Sequence, residues 1–254
     1  MKGKLAFISL LLVLLLPSLV GCGVLSEFIE KTPSEIAVDT VEQYYQTHVY
    51  SEYDFFVCSD MALDVWDMLK AQGIPALIQI GNVETGAENI TEADHAWVLA
   101  EVSPGHYLAL ETTAGYAVWE KDNPLYYQGW SFDNPREYKR FVELRQEYNI
   151  RAIMIEQLAT KVQETYEAYE KEYDYYQELL SEYDRRYVGR PVSLKCLEAM
   201  EYRDKIDAQL DVTMEKEGRY NQLTELINEQ KHELENIVSE MKGLAEVEPK
   251  AGVK

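Results

Sequence analysis

The chain has 254 residues, with 45 Asp and Glu against 24 Lys and Arg, and a formal net charge of −21. That acidity excludes nucleic acid as a partner, because phosphate binding needs clustered Lys and Arg, and it keeps the body of the protein off an anionic membrane surface. Three cysteines in this length exclude a disulfide-rich scaffold.

Lys2 and Lys4 precede an almost unbroken apolar run from Leu5 to Leu16, closed by Pro17 and Ser18. A charged start, about a dozen apolar residues and a small residue before the cut are the parts of a secretory signal. The run is shorter than the roughly 20 apolar residues of a membrane-spanning helix. Leu19-Val20-Gly21-Cys22 resembles the lipobox of prokaryotic lipoproteins. The resemblance implies a signal peptide over residues 1–21, diacylation of Cys22, and attachment to the extracytoplasmic face of the cell membrane through that lipid. An ordinary secretory signal and an uncleaved anchor helix are the competing readings. Removal of residues 1–21 takes Lys2 and Lys4 with it, so the formal charge falls from −21 to −23. Residues 22–33 carry little periodic pattern, end at Pro33 and read as a lipidated tether.

An α+β domain is expected over residues 34–140. Ser34 is placed to cap a helix beginning at Glu35, with Ile36, Val41, Tyr44 and Tyr45 on one face. A second helix should run from Cys58 to Gln72 and stop at Gly73, its stripe being Met61, Ala62, Val65, Trp66 and Leu69. Strands follow over Ala76–Ile80, His95–Val102 and Tyr107–Thr113, with a shorter piece over Tyr116–Trp119. Ser103-Pro104-Gly105 reads as the turn of a hairpin. Helix first and antiparallel strands afterwards is an α+β order.

Residues 141–245 change to heptad grammar. Val162, Tyr166, Tyr169, Tyr173, Tyr176, Leu180, Tyr183 and Tyr187 alternate in fours and threes, and Val188-Gly189-Arg190-Pro191 breaks the helix. A second seam runs Leu223, Ile227, Gln230, Leu234, Ile237, Met241, Leu244. One short break between two seams predicts an antiparallel coiled-coil hairpin. The spacing of Leu210, Met214, Tyr220 and Leu223 slips, which reads as a local stammer. The tyrosines imply a partly wet seam or, alternatively, an aromatic strip that receives a partner protein. Residues 246–254 read as a flexible tail.

Three residues of the α+β part can carry chemistry. Cys58 stands at a helix start, where unsatisfied N–H groups favour a thiolate. His95 opens a strand and Glu111 lies in the next. If Val102 opposes His106, paired positions sum to 208, Trp97 faces Glu111, and His95 lies one diagonal away on the same side of the sheet. An odd sum would separate them onto opposite faces. Cys58 also has Cys196 as a possible disulfide partner, which would remove the nucleophile. Asn89-Ile90-Thr91 matches a glycosylation acceptor. No metal-ligand spacing surrounds His48, His106 or His232, and neither metal nor cofactor is expected.

A Cys at a helix start, Gly73-Ile74-Pro75-Ala76, His95-Ala96-Trp97 on a strand and an acid before Thr112 occur in the order found in the transglutaminase-like superfamily, which residues 35–140 resemble. The resemblance implies a papain-like thiol fold acting on a protein or peptide substrate. Cys58 would attack a carboxamide or peptide carbonyl, His95 would shuttle the proton, and Glu111 would hold the imidazole. Water resolving the thioester gives hydrolysis; an amine gives cross-linking. The family usually has Asp and then Pro-Thr where this chain has Glu111-Thr112-Thr113. Phe55-Phe56-Val57 stands where animal transglutaminases carry Gly-Gln, which favours hydrolysis. The alternatives are an amine-accepting transglutaminase and an inactive scaffold whose hairpin recognises a partner.

Overall fold

The computed structural model describes residues 30–48, 57–189, 196–246 and 250–253. The signal peptide, Cys22, residues 22–29 of the tether, Phe55, Phe56 and the side chain of Cys196 lie outside the described residues.

Helix α1 (Pro33–Thr47) starts at Pro33, one residue ahead of the expected Ser34 cap, because proline's fixed φ suits a first helical turn. It buries Ala37, Val41 and Tyr44. Helix α2 (Cys58–Ala71) buries Met61, Ala62, Val65, Trp66 and Leu69, the whole of the predicted stripe. Both helices lie on one face of a five-stranded antiparallel sheet of β1 (Ala76–Gly81), β2 (His95–Ser103), β3 (His106–Glu111), β4 (Tyr116–Val118) and β5 (Trp130–Phe132), in the order β4-β3-β2-β1-β5. The α+β expectation stands at this level. Trp66 donates from Nε1 to the Ala76 carbonyl at 2.8 Å, stapling α2 to the first strand.

The pleat divides the sheet residues between two cores. Ile78, Ile80, Ala96, Val98, Ala100, Leu108 and Leu110 meet the helices. Trp97, Leu99, Ala109 and Val118 point to the other side, under Tyr126 and Tyr127. Those tyrosines belong to a 3₁₀ turn (Pro124–Tyr127) begun by Asn123, whose side chain accepts from the Leu125 N–H. Removing a fully buried member such as Met61 or Leu69 to Ala would cost about 2–5 kcal/mol.

Two strand details differ from expectation. His106 opposes Ser103 rather than Val102, with a bulge between Glu101 and Ser103. The turn needs only Pro104 and Gly105, Gly105 taking φ +73°, and the bulge absorbs the spare residue. Strand β5 was not foreseen, three residues being too short a pattern to read. It pairs with β1 only because Gly129 (φ +107°) lets the backbones close up, a Cβ there falling 2.2 Å from the Ile80 oxygen.

Helix α3 (Pro135–Tyr187) is one 53-residue helix, capped by Asn134, that begins inside the sheet's core and continues into the arm. Tyr138, Phe141 and Leu144 of its first turns are core residues. Helix α4 (Cys196–Leu244) returns antiparallel and delivers Ile237 and Met241 to the same core. Arg140–Glu240, Arg151–Gln230, Glu172–Gln209 and Glu182–Tyr202 are rungs between the two.

The seam is partly polar. On α3 the buried positions are Leu158 and Leu179, while Tyr166 and Tyr173 are 39% and 42% exposed, so at Tyr166, Tyr173 and Leu180 the preceding residue is the more inward one. On α4 the inward positions are Ile206, Gln209, Thr213, Lys216, Tyr220, Leu223 and Ile227, at unbroken heptad spacing. The expected stammer is absent, because Gln209 and Thr213 fill seam positions that an apolar count skips. Both side chains reach the Glu172 carbonyl. The tail also differs from the expected flexible segment. Tyr107 donates its N–H to Ala251 and accepts from Val253, in a parallel bridge between Tyr107 and Gly252.

Candidate active site

Cys58, His95 and Glu111 meet where α2, β2 and β3 converge. Cys58 is the first residue of α2, following Val57 in extended conformation. The Val57 N–H leans on the Asp60 carboxylate at 3.4 Å, and Val57's carbonyl accepts from Asp60 and Met61. The helix start is thereby fixed, and the thiol stands at its positive end. Cys58 is free and half-buried.

His95 opens β2 opposite Gly81. By the pleat it belongs with Trp97 on the face away from the helices. Being at the strand's end, however, it borders two hollows, one with Cys58 and one with Glu111. The imidazole thus bridges the helical layer and the opposite face. Its Nε2 lies 2.7 Å from Glu111 Oε2, and the ring shares the other hollow with the Cys58 thiol, whose presence favours the ring's charged form. With Nε2 committed to the carboxylate, Nδ1 is the nitrogen left for sulfur. The ring of Trp97 stacks beside it with centroids 5.8 Å apart.

Glu111 ends β3 and is 4% exposed. Besides His95, its Oε2 accepts from the Tyr126 hydroxyl at 2.8 Å. Its Oε1 accepts from the backbone N–H of Thr113 at 3.0 Å and from the Thr113 hydroxyl at 2.5 Å. Both oxygens are saturated, so the carboxylate cannot rotate without losing bonds. Tyr126 is itself held: Trp97 donates from Nε1 to its carbonyl at 2.9 Å and their rings meet edge-on at 5.1 Å.

The electrostatics follow from this arrangement. Burial opposes charge on His95, but the hydrogen bonds and charges of Cys58 and Glu111 outweigh it and push the imidazole up to about 10 from its ordinary 6.5. Burial also opposes charge on Glu111, yet His95, Thr113 and Tyr126 hold the carboxyl below its usual range. Burial and the Glu111 charge raise the Tyr126 phenol well above its ordinary value, so it remains a donor. The pair is an imidazolium carboxylate set against the Cys58 sulfur, an arrangement suited to nucleophilic attack once the sulfur's proton is on the ring.

The register argument that brought His95 to Glu111 holds: from Val98–Leu110 to Glu101–Tyr107 the paired positions sum to 208. Tyr126 and the role of Thr113 escaped it. Asn123-Pro124 signals a turn, but nothing in the sequence says that the turn folds back over Trp97. Tyr138 and Arg145 of α3 also line the hollow that holds Cys58; Tyr138 falls in the expected α+β part, whereas the change to helical grammar marks Arg145 only as arm. No cluster of His, Cys, Asp and Glu fit to hold a metal occurs among the described residues. Comparison of the chain with protein-family models, curated proteins and solved structures finds no match.

Proposed function

We propose that the chain is a thiol hydrolase of peptide or amide bonds, related to the transglutaminase-like superfamily and working through Cys58, His95 and Glu111. The observation that carries the reading is the 2.7 Å bond from His95 to a saturated Glu111, with a free thiol on the other side of the same ring. The sulfur, its proton already on the imidazole, adds to the scissile carbonyl, and the C–N bond breaks as the imidazolium gives that proton to the departing amine. Water, deprotonated by the same imidazole, then cleaves the thioester and releases the sulfur, with the proton again on the ring. The Cys58 N–H, at the first turn of α2, is placed as one donor to the oxyanion. Glu111 keeps the ring oriented and its charge compensated throughout.

The test is labelling with a thiol-reactive amide mimic. Wild type should be modified at Cys58 and Cys58→Ala not at all. His95→Ala should react at least tenfold more slowly, the scale on which a positioned base or acid acts. A Cys58 rate indifferent to His95 would move the assignment to an inactive scaffold.

The same proposal includes a lipid anchor at Cys22 on the extracytoplasmic face. Its support is Gly21-Cys22 after the apolar run, and no helix among the described residues is long and apolar enough to cross a membrane. Intact-mass analysis should find a mature chain beginning at Cys22 with added acyl mass. A different, unmodified first residue would end that part of the proposal.

A further inference from the structure

We infer that Arg145 is a carboxylate receptor in the substrate cleft, so that the preferred substrate carries a carboxylate beside the scissile carbonyl. The inference rests on the thiol-hydrolase reading of Cys58 and deepens it by naming a substrate class: amides whose acyl part is an Asp, a Glu or a free chain terminus.

His95 borders two hollows of opposite character. The one holding Glu111, Asp94 and Glu84 sets three carboxylates around the His95 ring, and its volume is about 380 Å³. The one holding the thiol is smaller, about 200 Å³, with a mainly apolar wall that includes Tyr138 and Phe141. Arg145, half-buried on α3, stands on it with the His95 imidazolium, and Asp94 is the acidic side chain of the same lining.

Arg145 differs from the paired arginines of this acidic chain by its state, and from unpaired ones such as Arg151 by its place on the thiol's hollow. Arg140 pairs with Glu240 and Glu143, and Arg185 and Arg186 pair with Glu182. Arg145 donates from Nη1 to the Ile90 carbonyl at 3.2 Å and forms no ion pair among the described residues. Asp94, which borders the same hollow, is near enough to favour its charge without forming an ion pair with it, and accepts from Asn82 at 3.0 Å. Burial pulls the guanidinium below its ordinary value, yet arginine stays charged under all working conditions. A chain with 45 acidic residues thus keeps a half-buried cation beside its nucleophile with most of its N–H donors uncommitted. A planar fork of that kind matches a carboxylate and has little use for a neutral group.

The experiment alkylates the full chain with iodoacetate and with its neutral counterpart iodoacetamide, reading the peptide that contains Cys58 by mass spectrometry. The ratio of the two rates reports carboxylate recognition, and the iodoacetamide rate alone reports the state of the thiol. Relative to free cysteine, the wild-type ratio should be higher by about tenfold, the size expected of one charge-assisted hydrogen bond. Arg145→Gln should bring it back to the free-cysteine value, and Arg145→Lys, which keeps a charge and a donor for Ile90, should hold it within about threefold of wild type. In His95→Ala the ratio should persist although both rates fall. A wild-type ratio no higher than that of free cysteine overturns the inference. So does a raised ratio that survives Arg145→Gln or collapses in His95→Ala, since the imidazolium would then be the receptor. Should Arg145→Gln fail to fold, the wild-type and His95→Ala ratios decide alone. The triad fails separately, through an iodoacetamide rate that His95→Ala leaves unchanged.

Discussion

Glu111 is the residue on which the site's order depends, because it is buried, charged and fully bonded at once. A buried carboxylate is tolerated only when its partners replace water, and here His95, Tyr126 and Thr113 do so. The pH dependence of stability should reveal the pair. The folded value of His95 lies above its unfolded 6.5, so its contribution is complete below about 6.5 and is lost as pH climbs through about 10. Glu111 is depressed from 4.5, so its contribution is complete above that value and is lost as pH falls below it. Wild type should therefore exceed Glu111→Gln in stability by about 3–5 kcal/mol between those limits, the size expected for a broken buried pair. Thermal melts across pH should find the gap widest near pH 5–6 and closing by pH 10. A gap constant over that range would mean that the pair is not ionic.

At the scale of elements, legibility followed how much of each pattern was local. The α2 stripe and the β2–β3 register came through because apolar alternation and one turn determine them. That register alone brought His95 to Glu111. Strand β5 carries only Trp130, Ser131 and Phe132, and its place beside β1 depends on Gly129 meeting the Ile80 carbonyl, a contact across 49 residues. The arm's seam misled in the opposite way. Tyr166 and Tyr173 look like core in a heptad count, but a two-helix seam is narrow and a phenol hydroxyl prefers its edge. Gln209, Thr213 and Glu172, polar and so discounted, carry the inner contacts there. The site's support was hidden for the same reason: Tyr126 reaches Glu111 through a turn whose docking is tertiary.

At the scale of the whole molecule, residues 33–254 form one compact unit, and its C-terminal segment is tied back toward the site. Strand β4 covers β3 only opposite Ala109 to Glu111, and the tail takes over at Tyr107, so the edge of β3 is not left open. Lys250 donates its N–H to the Tyr127 carbonyl at 3.1 Å, and Glu120 donates to Val253 at 3.4 Å. Gly252 lies against the Tyr127 ring, where an added Cβ would come within 2.7 Å. Tyr127 in turn bonds Val118 at 2.6 Å and receives the Ala109 N–H, which fixes the turn presenting Tyr126 to Glu111. Deleting residues 247–254 should accordingly do more than loosen an end. It removes four backbone hydrogen bonds, roughly 2–4 kcal/mol at the usual net value, which a thermal melt would register. It also frees the turn, so Glu111 loses part of the bonding that depresses its carboxyl. The acid limb of the pH profile for Cys58 alkylation should then move to higher pH, in the same direction as in Tyr126→Phe. Gly252→Ala should move it less. A deletion that lowers the melting midpoint but leaves the acid limb in place would show the tail to be a structural strap with no hold on the site.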